Sequence, residues 1–389
     1  MGSWARLTAV LAVAGTALAV VSGAAQWGTA HRLLAGLALP PLAALTAIAW
    51  VSARRVLPTA LAALTAFGLA ALLTSRGIHL AVAALAFGLT ALLAAQTFRG
   101  EARDGALRDY VILTKPRIMS LLLLTGASGA FVGAGGLPNG VAFLATMAGL
   151  ALACGGASAL NHYLDRDIDL LMGSRTEARP VAVGRITPER ALEFGLALSA
   201  FSFVLLAGLV NVETAFFALG GNLFYVIVYT RLLKRSTRHN IVIGGAAGAV
   251  PPLVGYASAG HPLGWSAVAM FVIVFIWTPP HFWALALMLK EHYGRANVPM
   301  LPNVRGDRET ARQILWYTIV LIAATLVPVG FGVFGLTYGI AAAVLGAVFA
   351  WYAIALRRTL ALRTAAHLFH FSLLYLALLF VAMALDTVV

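Results

Sequence analysis

The sequence predicts an all-α, multi-span membrane bundle, and three observations predict it. The chain of 389 residues is 61% hydrophobic and only 11% charged, with a mean hydropathy of +0.90, far from the balance of an average soluble domain. Apolar runs of about 18 residues or more, the length a helix needs to cross a bilayer, recur along the whole chain. The alternation of apolar and polar residues that marks a membrane β-barrel is absent.

Thirteen helical segments can be placed, in two blocks. The first block, residues 1–98, holds four, near 7–26, 33–52, 56–75 and 78–98. Its first apolar stretch, Leu7 to Ala25 after Arg6, is long for a signal-peptide core and leads straight into further spans, so it reads as a retained span. The block carries few ionisable groups and no polar constellation. A charged cytoplasmic connector, 99–117, follows with Glu101, Arg103, Asp104, Arg108, Asp109 and Lys115. The second block, 118–389, holds nine segments, near 118–136, 140–162, 188–209, 213–230, 241–259, 264–289, 310–331, 336–356 and 365–386.

Arginine and lysine set the orientation, because positive loops stay cytoplasmic. In the second block alternate loops are basic. Arg166, Arg175, Arg179, Arg185 and Arg190 occupy the first; Arg231, Lys234, Arg235 and Arg238 the second; Lys290, Arg295, Arg305, Arg308 and Arg312 the third; Arg357, Arg358 and Arg363 the fourth. The intervening turns, near Gly135, Val210, Gly260 and Gly335, carry none. Nine spans starting inside place the C-terminus outside, and every polar cluster faces one side. The first block is less regular, but its four spans return the connector to the cytoplasm. The net charge of +13 is spread through short loops with no basic domain or aromatic-interleaved patch, which argues against nucleic acid as a partner. The single cysteine, Cys154, lies in an apolar run and excludes a disulfide framework or a multi-cysteine metal site.

The run Asn161 to Pro180 carries most of the chemistry. Within five positions it holds three of only fourteen acidic residues, Asp165, Asp167 and Asp169, where an apolar segment ends. Asn161, Asp165 and Asp169 follow a four-residue step, so on a helix they share one face over about 12 Å of rise. Hard oxygen donors on one stripe suit Mg²⁺, which takes one or two carboxylates, keeps water and bridges to substrate phosphates. Arg175 and Arg179 follow closely and can meet the same phosphates as bidentate forks. A merely solvated helix end at the membrane surface is the plainer alternative.

A second cluster, Tyr229 to Asn240, places four cations in eight residues (Arg231, Lys234, Arg235 and Arg238) beside Thr237 and Asn240. Such donors can hold a diphosphate and ease its departure, although positive-inside decoration accounts for Arg231 and Arg238. The glycines Gly244, Gly245 and Gly248 suit close helix packing, and no Gly-Lys-Ser/Thr makes them a P-loop. The third cluster begins within an apolar span at Trp277-Thr278-Pro279-Pro280-His281-Phe282-Trp283. Tandem prolines predict a broken helix lining a cavity, with His281 at membrane depth as either a substrate contact or a packing residue. Glu291 is either a further acidic metal ligand or a solvated loop acid. His367 and His370 read as packing residues. Tyr225, Tyr229, Trp277, Phe282 and Trp283 can line an isoprenoid or porphyrin pocket and stabilise an allylic cation, or form an interfacial belt.

In this order the three clusters resemble the intramembrane (UbiA-type) prenyltransferase superfamily and, within it, the protohaem IX farnesyltransferase family. The stretches that carry the likeness are Asn161-x-x-x-Asp165-Arg166-Asp167-Ile168-Asp169 with Arg175-Thr176 and Arg179-Pro180, Tyr229-Thr230 with Leu233-Lys234-Arg235, Thr237, Asn240, Pro279-Pro280-His281-Phe282-Trp283-Ala284-Leu285, and Val298-Pro299-Met300-Leu301-Pro302. They cover about residues 105–386. The resemblance implies an enzyme that moves farnesyl from farnesyl diphosphate to a vinyl group of haem b, giving haem O for terminal oxidases. It implies Mg²⁺ on Asn161, Asp165 and Asp169, with Glu291 as a further ligand. Lys234 and Arg235 then act in catalysis, and Arg175, Arg179, Thr237, Asn240, Tyr229, His281 and Trp283 bind substrates. The bilayer is the surrounding medium, the bacterial inner membrane the expected location, and a haem A synthase or oxidase assembly factor the expected protein partner. Two departures stand out. His292 occupies the place of the usual acidic residue, with Glu291 one position earlier, and the four-span block has no counterpart in the family's usual length.

Competing readings are a related prenyltransferase with a quinone-type or other aromatic acceptor, a transporter, and a silent scaffold. Transporters gather polar residues near the membrane midplane, whereas here they gather at one end, and the complete acidic motif disfavours a scaffold.

Overall fold

The computed structural model describes residues 107–388 other than 174, 175, 177 and 178, together with helical residues scattered among 8–19, 38–46, 60–67 and at 90. The described residues before 107 fall within the first block. Those at Ala9, Ala12, Leu42, Ala60 and Ala63 pack together, with Val13, Leu64 and Phe67 against them. The four-span expectation for that block otherwise lies outside the described residues.

From residue 107 the described chain is helical, without strands: α1 (Leu107–Leu113), α2 (Pro116–Ala134), α3 (Gly140–Leu164), α4 (Arg166–Leu171), α5 (Pro188–Leu209) and α6 (Val212–Leu223). A π-helix follows (Phe224–Leu233), then α7 (Asn240–Gly248), α8 (Val250–Ala257), α9 (Trp265–Met288), α10 (Lys290–Arg295), α11 (Leu301–Gly330), α12 (Leu336–Thr359) and α13 (Leu362–Asp386). Among the described residues nine helices are long and apolar enough to cross a membrane, with α6 and the π-helix forming one span and α7 and α8 another. They match the nine expected segments to within a few residues, except that α11 begins earlier. There Gly306, at φ 79 and ψ 170, breaks the helical path, so a short amphipathic piece precedes the span. The connector is not all loop, because α1 forms inside it.

Helix ends follow local chemistry. Asn139, Thr187 and Asn211 accept hydrogen bonds from the first-turn N–H groups of α3, α5 and α6. Proline opens α2 and α5, where its missing N–H costs nothing. Gly135, at φ 61, ends α2 with its N–H on the carbonyls of Phe131 and Val132. At the same end of the bundle, Asp386 closes α13 against α12 by accepting from the N–H groups of Gly335 at 2.5 Å and Tyr338 at 3.3 Å.

The spans form a closed ring. α2, α3, α5 and α6 pack each on the next, the chain continues through α7 and α8 to α9, α11, α12 and α13, and α13 returns to α2. α8 lies against α2, where a Cβ on Gly255 would fall on the backbone of Gly126 and one on Gly129 would fall on that of Pro252. Small residues therefore set how near these two helices come. Several polar groups between spans are paired. Asn222 Nδ2 donates to Ser199 Oγ at 2.8 Å and to the Ala153 carbonyl at 3.1 Å, and Ser202 Oγ donates to the Gly149 carbonyl at 2.6 Å. The loops after α3, the π-helix, α9 and α12 share the basic end.

Candidate active site

Asn161 lies in the last turn of α3, which stops at Leu164. Asp165 occupies the corner, at φ −92 and ψ 2, and Asp169 lies in α4. The expected single helix face is thus split over two helices. The four-residue step survives, since the Asp165 N–H donates to the Asn161 carbonyl and the Asp169 N–H to the Asp165 carbonyl, both at 2.9 Å. All three side chains are at most 3% exposed, which for two carboxylates demands compensation.

The compensation comes from four cations out of three segments. Lys234 Nζ donates to Asp165 Oδ2, the oxygen that also accepts from Asn161 Nδ2 at 2.8 Å. Arg179 donates to Asp169 Oδ1 at 2.7 Å. Arg235 forks onto exposed Asp167 at 2.6 and 2.7 Å, donates to the Leu164 carbonyl at 2.7 Å, and stands 3.7 Å from Asp165 Oδ1. Lys115, half-buried at the mouth of α2, donates to Asn161 Oδ1 at 2.8 Å. Its backbone is left-handed, at φ 50 and ψ 61, directly before Pro116, an uncommon conformation for a lysine. Burial, together with the charges of Arg179 and Lys234, pulls the Lys115 pKa down to about 7. Burial raises the pKa of Asp169 against the opposing pull of Arg179, while the hydrogen bond from Arg235 lowers that of Asp167.

Asp165 and Asp169 each keep one oxygen free of hydrogen bonds. Asp165 Oδ1 and Asp169 Oδ2 are buried and accept no hydrogen bond. Two carboxylate oxygens that accept no hydrogen bond, ringed by cations, fit a divalent ion that brings water and phosphate as its other ligands. Asn161 fits less well as a direct ligand, because its carbonyl is taken by Lys115 while its amide donates to Asp165 and, at 3.2 Å, to Thr230 Oγ1. It holds the cluster together. Glu291 does not join it: its side chain is exposed on α10, and among the described residues no three His, Cys, Asp or Glu side chains converge as a metal set.

The π-helix brings the second cluster to the first. Its wider winding lets Thr230 Oγ1 donate to the Tyr225 carbonyl five residues back at 2.9 Å, and the Lys234 N–H reach that of Tyr229 at 2.8 Å. Thr230 and Lys234 are thereby aligned on Asn161 and Asp165. Tyr225 and Tyr229 stack at 5.5 Å, and Gly244 makes room for the Tyr229 ring. Asn240 is fully buried, with Nδ2 donating to the Lys234 carbonyl at 3.2 Å and Oδ1 unpartnered. Thr237 shapes the turn, accepting from the His239 N–H at 3.3 Å. Arg175 lies outside the described residues.

The expected break at Pro279 and Pro280 does not occur, and α9 is continuous through both prolines. Neighbouring helices hold it in place. Trp277 Nε1 donates to the Ser372 carbonyl on α13 at 2.9 Å, and Gly245 on α7 admits Thr278. His281 is 7% exposed and lies within an aromatic stack rather than at a break. Trp283 is buried edge-on to Tyr317, with its Nε1 unpartnered.

Sequence reasoning passed over Lys115, read only as a connector charge, and Thr230, quoted without a role. A lysine directly before the proline that opens a span was the available signal. It also passed over His162, which is 2% exposed with neither ring nitrogen hydrogen-bonded, and over Thr176, whose Oγ1 donates to the Asp169 carbonyl at 2.6 Å and ties down the loop that carries Arg179.

Residues 122–383 match the model of the UbiA prenyltransferase family. The chain is similar to a protoheme IX farnesyltransferase of Symbiobacterium thermophilum, 53% identical over 72% of this chain and 94% of the relative. A protoheme IX farnesyltransferase of Roseiflexus castenholzii is 41% identical over 95% of this chain and 77% of the relative. The second alignment takes in most of the block before residue 99, so a counterpart of that block exists in at least one relative. Among solved structures, a digeranylgeranylglyceryl phosphate synthase superposes with a TM-score of 0.61 at 18% identity, over 72% of this chain and 98% of its own. A UbiA homolog from Archaeoglobus fulgidus, bound to DMAPP and Mg²⁺, superposes with a TM-score of 0.52 at 16% identity, over 70% of this chain and 99% of its own. At these identities the superpositions speak for the fold.

Proposed function

The chain belongs to the UbiA prenyltransferase family, and on that footing we propose that it transfers farnesyl from farnesyl diphosphate to a vinyl group of haem b, with addition of water, giving haem O and diphosphate. The names of relatives that match over 72% and 95% of the chain support this acceptor and donor. The observation that carries the chemistry is the pair of buried aspartates, each with one oxygen on a cation and the other accepting no hydrogen bond.

Asp165 Oδ1 and Asp169 Oδ2 would hold Mg²⁺, which when bound neutralises diphosphate charge and favours its departure. Lys115, Arg179, Lys234 and Arg235 surround the same point and can pass their hydrogen bonds to phosphate oxygens, where charge-assisted bonds strengthen as the leaving group gains charge. Arg175, four positions before Arg179 in sequence, and Thr237 and Asn240, which follow Arg235, are assigned as further donors. The C–O bond of the donor breaks with its electron pair on the diphosphate. The allylic cation left behind suits the stacked faces of Tyr225 and Tyr229. The vinyl π-pair of the acceptor closes the new C–C bond, and water adds to the porphyrin-side carbon and gives up a proton. His281 and Trp283 on α9 belong to the acceptor side of this assignment.

The basic loops fit a cytoplasmic active site in a bacterial plasma membrane, by the positive-inside rule. Residues 1–98 then form a separate membrane block, joined to the nine-span domain at 118–389 through the 99–117 connector. A haem A synthase or an oxidase assembly factor would take the product. Pigments extracted from cells with and without the gene test the reading: haem O should appear only with the gene, and its absence from cells that insert the protein would overturn it.

A further inference from the structure

His281 and Ser372 are 91 positions apart in sequence and meet where α9 packs on α13, with His281 Nδ1 2.7 Å from Ser372 Oγ. A hydroxyl has one proton to give, and Ser372 Oγ gives it to the Phe369 carbonyl at 2.7 Å. That bond leaves the Ser372 oxygen to accept from His281, which assigns the hydrogen to Nδ1. Trp277, Phe282, Phe369 and Ser372 surround the ring, none of them charged, so the imidazole is neutral and its Nε2 bears a free lone pair. Trp277 stacks on the ring at 4.3 Å and 16°, Phe369 at 4.8 Å and 22°, and Phe282 meets it edge-on at 5.3 Å. Rotation is blocked. Nε2 makes no hydrogen bond with the described residues, yet it is not sealed off as both nitrogens of His162 are.

A neutral imidazole with one nitrogen hydrogen-bonded, the other open, and the ring clamped is the arrangement that a metal-ligating histidine requires. We infer that Ser372 positions His281 as its Nδ1–H tautomer so that the Nε2 lone pair ligates the iron of the haem acceptor, fixing the porphyrin relative to the farnesyl donor. This rests on the haem reading above. His370 also turns its Nδ1 to a carbonyl, that of Ala366 at 2.7 Å, but its ring is exposed on α13 and meets Phe369 only edge-on, without the two-sided clamp.

The test is resonance Raman spectroscopy of ferrous haem b added to the purified full-length protein in nanodiscs. The wild type should show an iron–imidazole stretch. His281→Ala should lose it, regain it with free imidazole, and bind haem b about tenfold or more weakly with affinity for a non-hydrolysable farnesyl diphosphate analogue within about twofold of wild type. Ser372→Ala should keep haem and ligand but shift the stretch, because Nδ1–H loses its acceptor. That variant reads the positioning role even if His281→Ala fails to insert. A stretch that survives in His281→Ala, that is lost in His370→Ala instead, or that does not move in Ser372→Ala overturns the inference. Haem b bound to the wild type with no imidazole stretch overturns the ligation and leaves the acceptor standing. A wild type that binds no haem b overturns the acceptor reading as well.

Discussion

Lys234 and Asp165 form a buried ion pair across 69 positions of sequence, and the lysine takes only one of the two carboxylate oxygens. The pair joins the end of the π-helix to the corner between α3 and α4, and leaves Asp165 Oδ1 without a hydrogen bond, 3.7 Å from Arg235. Removing either charge leaves the other buried and short of its main partner, a change that for a buried pair typically costs about 3–5 kcal/mol. Lys234→Met should therefore lower thermal stability in detergent as well as activity, whereas the double substitution with Asp165→Asn should recover stability without activity. Full stability of Lys234→Met alone would show that the pair is not coupled to folding.

Asp165→Ala and Asp169→Ala should each reduce turnover by about 10²-fold or more, since the diphosphate charge is left uncompensated. Near-normal haem O formation by either variant, assayed in membranes at matched protein levels, would remove these residues from the site.

Asn161 separates two roles. If it organises the cluster through its amide, as its bonds to Asp165 and Thr230 indicate, Asn161→Asp should be about as damaging as Asn161→Ala, because it loses the donors and sets a like charge against Asp165. Activity retained in Asn161→Asp, with an unchanged Mg²⁺ requirement, would make the side-chain oxygen a direct ligand instead.

Close helix approach makes a paired prediction. Gly255→Ala drives a methyl group into the backbone of Gly126, whereas a Cβ on Gly248 meets nothing within 4 Å. The first substitution should lower stability by about 1–3 kcal/mol, as overpacking does, and the second should leave it nearly unchanged. Thermal unfolding of the two variants side by side decides it, and equal midpoints would contradict the packing between α2 and α8.

No described residue of the N-terminal block joins the cluster. A truncation starting at Glu101 keeps α1, whose Asp109 accepts from Arg185 Nε at 2.9 Å, and should retain activity. Inactivity of a stably inserted truncation would show that the first block helps bind substrate or fold the core.

The nine spans and the acidic motif were legible because both are local. An apolar run of span length and a four-residue step survive in any fold the chain adopts. The partners were not legible. Lys234 reaches Asp165 only because the π-helix advances its residues differently from an α-helix, and hydrophobic periodicity carries no mark of π winding. Pro279 and Pro280 signalled a break that neighbouring helices prevented, since Trp277 ties α9 to α13. Glu291 sat at a plausible distance in sequence, yet α10 leaves it exposed. Lys115 was hidden by its place in a charged connector, and Ser372 by the apolar helix around it.

The central claim is that the Asp165–Asp169 cluster drives farnesyl transfer to haem. The most direct measurement incubates membranes carrying the full chain with haem b, farnesyl diphosphate and Mg²⁺, then identifies the extracted pigments by mass. A hydroxyethylfarnesyl haem should form with the wild type, and should vanish on chelation of Mg²⁺ or in Asp165→Ala. Unmodified haem from the wild type, with farnesyl found instead on a quinone precursor offered in the same mixture, would contradict the claim.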